Sequence, residues 1–240
     1  MSISMKQAIL FVPSDSGWIN KTLLGGLLLF FPVFAYVFPG IRRLIFSPIN
    51  YYALALFLML TLVVSIIMCG YFFKAVHNRI VHEKETMPSW HNYPLYWVTG
   101  VKAYCGGFVL SLSFIFLNGI VWTFAPMSIC KDVLPFIAFS LILHIIYSFL
   151  YTMMALNFSR DFNIASFWDF KKAWNLISGN VINYILLVLN CLLVAFIHLV
   201  VIVILINAQI FSLLLPFISF YVFMIYADLF AQFALNKMES

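Results

Sequence analysis

Residues 166–232 decide the fold. They read SFWDFKKAWNLISGN, then VINYILLVLNCLLVAFIHLVVIVILIN over residues 181–207, and then AQIFSLLLPFISFYVFMIYADLFAQ. The first piece has apolar side chains at helical spacing with charged and amide side chains between them, a pattern typical of a helix lying in a membrane interface. The two apolar runs, 181–207 and 210–235, are long enough to cross about 30 Å of hydrocarbon. The stretch therefore predicts an interfacial helix, starting with Ser166 as its cap and ending at Gly179, that leads into a hairpin of spanning helices.

Composition extends this interpretation to the whole chain. Of its 240 residues, 65% are hydrophobic and 9% are charged, and the mean hydropathy is +1.05. Because soluble domains carry about 25% charged residues, the composition excludes a water-soluble globular domain. We predict an all-α polytopic membrane protein that forms a single integral membrane domain over residues 1–240.

Apolar runs separated at charge and proline clusters predict about six transmembrane helices. The runs cover residues 22–38, 51–76, 101–125, 133–156, 181–207 and 210–235. The long links 77–100 and 157–180 each contain an amphipathic segment, and a weaker one precedes the first span. This spacing suggests three repeats of a cytoplasmic interfacial helix followed by a hairpin.

The distribution of positive charge predicts the orientation. Ten of the thirteen Lys and Arg residues fall on one side of the predicted spans, and Arg42, Arg43 and Lys131 fall on the other. Because Lys and Arg are enriched in cytoplasmic loops, we expect both termini to be cytoplasmic. The basic residues are scattered rather than clustered, so we expect no nucleic-acid partner.

Asp228 is the one acidic residue placed well inside a predicted span. Ionisable groups at membrane depth are costly and often mark pathways or partner contacts. Asn190 lies at nearly the same depth in the preceding antiparallel span, so the two side chains are expected to share a polar intramembrane contact. A satisfied structural contact is the alternative interpretation.

Two histidines form a second candidate site. His144 and His198 each lie about ten residues from the same end of their predicted spans by the 1.5 Å helix rise, and two imidazoles at one level can ligate a haem. A hydrogen bond between helices is the simpler explanation. We therefore expect no cofactor and keep haem as the alternative.

Aromatic and basic residues in the long links are predicted to anchor the protein at the membrane surface. The first segment places aromatic residues on one helical stripe, and the second combines aromatic residues with lysines that would lie near lipid head groups. The predicted anchors are Trp90, Trp97, Phe167, Trp174, Lys171 and Lys172.

Glycine and proline positions predict how the spans pack. The pairs Gly25-Gly26 and Gly106-Gly107 predict close helix packing. Pro32, Pro135 and Pro216 lie within or near spans, where proline kinks a helix.

Three passages resemble the prokaryotic membrane-protein family designated domain of unknown function 4013. They are GWINKTLLGGL at 17–27, MPSW at 87–90 followed by GVK at 100–102, and FWDF at 167–170 followed by Asn180, Tyr184, PFISFY at 216–221 and Gln232. The resemblance implies a polytopic protein of the prokaryotic inner membrane. The family has no established activity or catalytic residues to transfer.

The sequence favours a non-enzymatic role. It contains no Ser/His/Asp order, HExxH motif, paired carboxylates or nucleotide loop, and its cysteines lack zinc-ligand spacing, so we name no catalytic residue and expect no metal site. We predict an inner-membrane subunit that contacts membrane lipids, binds other membrane or cytoplasmic proteins, and helps to move or sense a lipid or small solute. The alternatives are a haem-binding electron-transfer subunit and an autonomous transporter.

Overall fold

The computed structural model describes residues 3–37, 51–82, 86–124, 133–207 and 213–235. All regular structure in these ranges is helical, which confirms the predicted all-α class. The α-helices are α1 (Met5–Ser14), α2 (Trp18–Val37), α3 (Tyr51–His82), α4 (Tyr93–Phe124), α5 (Val133–Asp161), α6 (Phe170–Ser178), α7 (Val181–Asn207) and α8 (Leu215–Leu235). A short 3₁₀ helix, Ile164–Phe167, precedes α6.

Four helices within the described ranges are long and apolar enough to cross a membrane. They are Tyr51–Val81, Tyr93–Leu117, Val181–Asn207 and Leu215–Leu235, and a shorter apolar helical run covers Trp18–Phe30. The chain is therefore a helical membrane protein. The count of six spans and the three repeats stay predictions.

Two compact units make up the chain. The first combines Met1–Val101 with Asn180–Ser240, and the second is Lys102–Gly179. In the first unit, α8 is the central helix, since it packs against α1, α2, α3 and α7. Asp228 and Gln232 on this helix are buried in the protein.

The α7–α8 hairpin is antiparallel. Near one end the rings of Tyr184 and Phe233 lie 5.3 Å apart, and further along the Tyr226 hydroxyl approaches the Cys191 carbonyl at 3.4 Å. These contacts place the start of α7 beside the end of α8.

Glycines allow the helices of the first unit to approach closely. A Cβ at Gly25 would lie 2.3 Å from the ring of Phe220, and a Cβ at Gly70 would lie 1.8 Å from the Tyr96 carbonyl oxygen. The predicted close packing at Gly25 is confirmed, whereas Gly70 adds a helix crossing that the sequence analysis did not identify.

The second unit is built around the corner that follows α5. Phe162 at this corner has a positive φ of 54°. The Asp161 carboxylate accepts hydrogen bonds from the Asn163 backbone N–H at 2.9 Å and from the Ser166 hydroxyl at 2.7 Å. The ring of Phe167 fills the space that Gly106 leaves, where a Cβ would lie 2.5 Å away. The corner thus fixes Phe167 inside the unit.

Several predicted boundaries were wrong. Ser166 lies in the 3₁₀ helix, and Asp169 caps α6 by accepting a hydrogen bond from the Lys172 N–H at 2.9 Å. Pro135 and Pro216 lie in the first turns of α5 and α8, where proline is tolerated without a kink. The side chain of Pro32 lies outside the described residues.

Candidate functional site

The first unit holds an ion pair between α3 and α8. Arg79 Nε lies 3.2 Å from Asp228 Oδ1, and the two side chains are 8% and 0% exposed. Asp228 lies roughly 10 Å before the end of α8 by helix rise. Burying a charge this deeply is costly unless it is paired, and each of these residues supplies the opposite charge that the other requires.

Gln232 connects this ion pair to the segment before α1 through hydrogen bonds. Its Nε2 donates to Asp228 Oδ2 at 2.6 Å and to the Ser4 carbonyl at 3.2 Å, and its Oε1 accepts from the Ser4 N–H at 2.8 Å. Asp228 and Gln232 are four residues apart, so they share one face of α8. Gln232 therefore orients the carboxylate and holds the start of α1 against α8.

An open cleft adjoins the ion pair. It has a volume of about 300 Å³. Its wall combines an ammonium group, a guanidinium group, hydroxyl and amide groups with two apolar side chains. The lining residues are Ser4, Lys6, Gln7, Leu10, Phe11, Ser14 and Arg79. A cleft of this chemistry suits an anionic ligand that also carries an apolar part.

A second polar cluster lies where α1 leads into α2. Asp15 is buried and accepts hydrogen bonds from the N–H groups of Gly17 and Met87, both at 2.8 Å. Lys21 Nζ lies 2.6 Å from the Asp15 carboxylate and donates to the Met87 carbonyl at 2.7 Å. These contacts fasten the segment between α3 and α4 to the start of α2.

An aromatic cluster continues from this segment. Trp90 stacks on Tyr71 with ring centroids 4.0 Å apart and donates from Nε1 to the Lys21 carbonyl at 3.0 Å. Tyr71 donates to the Pro88 carbonyl at 2.7 Å, and Tyr96 donates to the Ser89 carbonyl. The MPSW passage at 87–90 is therefore a packed structural element.

A sequence model of the family described as "Protein of unknown function (DUF4013)" matches residues 53–208. The chain belongs to this family. No curated protein and no solved structure matches the chain. The region matched to DUF4013 includes Arg79, whereas Asp228, Gln232 and the α1 wall of the cleft lie outside it.

The structure places Asp228 differently from the sequence prediction. Asn190 lies half-buried on α7, and the contact between Tyr226 and Cys191 puts it near the level of Asp228. Asp228 nevertheless pairs with Arg79 and Gln232. The structure therefore adds two partners that the sequence did not predict, and the contact between Asp228 and Asn190 stays a prediction.

The predicted membrane anchors fall into two groups. Trp90 and Phe167 are buried, at 4% and 0% exposure, so the prediction that they face lipid was wrong. In both cases the ring packs in a pocket inside the protein and not in the head-group layer of the membrane. The exposed members are Trp97, Trp174, Lys171 and Lys172, whose anchoring role stays a prediction.

The histidine pair is described only in part. His198 Nε2 lies 3.2 Å from Ser219 Oγ on the neighbouring α8, the kind of interhelical contact that the sequence analysis gave as the simpler explanation. His144 lies on α5, but its side chain lies outside the described residues. Haem binding stays an untested alternative.

Sequence reasoning missed Arg79, the partner of Asp228. It assigned residue 79 to a polar link, although neither glycine nor proline occurs between Gly70 and Pro88 to end a helix. A lone carboxylate inside a membrane needs a cation as its partner. This requirement points to Arg79, provided that the helix of the second span is continued past residue 76.

Proposed function

We propose that the chain is a non-enzymatic membrane subunit that binds a lipid or small solute at the Arg79–Asp228 site and helps to sense or move it. The observation that supports the proposal is the buried ion pair beside an open cleft. A purely structural contact would need no adjoining cavity, whereas a binding site needs both fixed charge and access.

The energetics of buried charge favour a role in binding. Replacing a buried ion pair with well-packed apolar residues is often neutral or stabilising. A pair retained at membrane depth is therefore weak evidence for a stability role, and ionisable residues in such places commonly belong to functional sites. Gln232 and Ser4 hold Asp228 in position, which would prearrange the site for its ligand.

The groups along the cleft are suited to binding. Lys6 and Arg79 attract anions, while Leu10 and Phe11 supply apolar contact. In the predicted orientation, with both chain ends on the cytoplasmic side of an inner membrane, the cleft opens on that side. The site would then receive a ligand from the cytoplasmic leaflet or the cytoplasm.

A role in partner binding is the second part of the proposal. The helix α6 presents Phe170, Lys171, Lys172 and Trp174 as exposed side chains. Such a mixed basic and aromatic face suits either lipid head groups or an acidic protein surface. Proteins that copurify after extraction in mild detergent would identify the partner.

Native mass spectrometry of the extracted protein tests the binding proposal. Wild type should carry a bound small molecule, and the double variant Arg79→Gln/Asp228→Asn, which replaces both charged groups with neutral amides, should lose it. The control variant Lys131→Ala removes a charge on the opposite side of the predicted spans and should retain it. Identical spectra from all three proteins, or an empty wild type, would refute the proposal.

The autonomous-transporter alternative uses the same site and makes a separate prediction. Proteoliposomes containing this chain alone would show flux of the bound molecule, and the double variant would reduce that flux. Binding without flux would favour the subunit role.

A further inference from the structure

The charges around the cleft identify a class of ligand, an inference that rests on the proposed binding function. Lys6 contributes one positive charge and Arg79 another, while Asp228 at 3.2 Å from Arg79 cancels one of them. Among the described residues that line the cleft or pair with them, one positive charge remains. A singly charged anion matches this balance, whereas a neutral head group would leave the cation without a counterion.

The apolar part of the cleft indicates that the anion is attached to a hydrocarbon chain. Leu10 and Phe11 line the cleft, and the exposed residues of α1 include Ile9 and Leu10 at 44% and 51% exposure. Exposed apolar residues beside a lysine on a short helix suit the boundary between head groups and acyl chains. Lipid at this level would cover them.

Contacts with α8 keep the wall of the cleft in place. The Tyr221 hydroxyl donates to the Ile9 carbonyl at 2.7 Å, and Gln232 bonds both backbone groups of Ser4. Because the start and the middle of α1 are fixed, the helix that carries Lys6 stays at the cleft that Arg79 also lines. An anion in the cleft can then lie between the two cations.

We propose that the cleft binds the phosphodiester head group of a singly charged anionic lipid. Lys6 and Arg79 contact the phosphate oxygens, and Leu10 and Phe11 contact the first methylene groups of the acyl chains. Arg79 keeps Asp228 as its partner when the lipid is bound, because displacing the carboxylate would leave a buried charge unpaired.

Lipid titration of the full chain in a neutral detergent, followed by native mass spectrometry, tests this proposal. Phosphatidylglycerol should bind more tightly than phosphatidylcholine. A basic residue near an anionic lipid contributes about 1 kcal/mol, which corresponds to about fivefold in affinity. Lys6→Ala should therefore weaken phosphatidylglycerol binding about fivefold, and Lys6→Glu roughly 25-fold.

Two controls make the test specific. Lys131→Ala removes a lysine on the opposite side of the predicted spans and should leave the affinity unchanged. Lys6 is itself exposed, so its variants should unfold at the wild-type temperature, and equal melting curves would verify this. Equal weakening by the Lys6 and Lys131 variants would indicate a general charge effect and overturn the proposal.

A soluble head group separates the two sources of a phosphodiester. If glycerophosphoglycerol binds as tightly as the intact lipid, the ligand is a soluble ester and the lipid assignment is wrong. If phosphatidylglycerol shows no preference while wild type still carries a native molecule that the Arg79→Gln/Asp228→Asn variant loses, the lipid class is wrong and the proposed function stands. If the wild-type protein carries no bound molecule, both the lipid assignment and the proposed function are wrong.

Discussion

Removing one member of the Arg79–Asp228 pair should destabilise the protein far more than removing both. At 3.2 Å and an effective dielectric constant of about 20, the attraction between the two charges is about 5 kcal/mol. Asp228→Asn keeps the volume but leaves the guanidinium of Arg79 buried without a counter-charge. Loss of one partner of a buried pair costs about 3–5 kcal/mol, and we expect this range for Asp228→Asn and for Arg79→Gln.

The double variant Arg79→Gln/Asp228→Asn removes both charges, so neither charge is left buried without a partner. Its free energy of unfolding should therefore lie within about 2 kcal/mol of wild type. The coupling energy between the two sites should then be at least about 4 kcal/mol, well above the additivity error of about 0.5 kcal/mol for independent sites.

Equilibrium unfolding in mixed micelles, followed by tryptophan fluorescence, measures these four free energies. Lys172→Gln, which removes an exposed charge, serves as the control and should change stability by less than about 0.5 kcal/mol. Additive losses in the double variant would show that the two charges do not interact. Arg79 and Asp228 would then not form a paired site.

Three further predictions concern packing and orientation. Gly70→Ala places a Cβ 1.8 Å from the Tyr96 carbonyl and should abolish the monodisperse peak in size-exclusion chromatography, whereas Gly179→Ala, with open space around its Cβ, should not. Phe167→Ala should lower the free energy of unfolding by about 3–5 kcal/mol, because the ring is fully buried, and Trp174→Ala at an exposed site should change it by less than about 0.5 kcal/mol. Reporter tags at the two termini should report the same compartment, and opposite compartments would overturn the predicted topology.

The bounds of α7 could be predicted from sequence alone. The run 181–207 is uninterrupted and apolar, with Asn180 before it and Asn207 at its end, and the structure has the helix over the same residues. Lipid and protein both favour a helix here, so no tertiary information was required. The antiparallel hairpin with α8 follows from the short connection between two such runs.

The longer helices were predicted less well because their ends are polar. The prediction ended the second span at residue 76, whereas α3 continues to His82. Lys74, His77 and Arg79 suggested a solvated link, but hydrogen bonding along the helix does not depend on lipid. Arg79 is inside the protein because the carboxylate of Asp228, 149 residues later in the chain, neutralises it. The sequence around Arg79 does not indicate this contact.

The buried aromatic residues show a similar limit. A tryptophan in a link suits the head-group layer when considered by itself. Trp90 instead packs on Tyr71, because the Asp15–Lys21 cluster holds its segment against the first unit. Phe167 is buried because Gly106 leaves room for its ring. Both outcomes depend on residues far away in the sequence.

Different residues of the site determine the stability of the protein and the choice of ligand. Arg79 and Asp228 are buried and bind each other, so substituting either one should affect both folding and binding. Lys6 is exposed and has its ammonium on a short helix outside the region matched to DUF4013, so substituting it should affect binding alone. A change in the α1 wall could therefore alter which ligand is bound while the central helix and its ion pair stay intact. Unfolding and lipid-binding measurements on the same Lys6 and Asp228 variants would reveal this separation, and a Lys6 variant that lost stability in parallel with binding would contradict it.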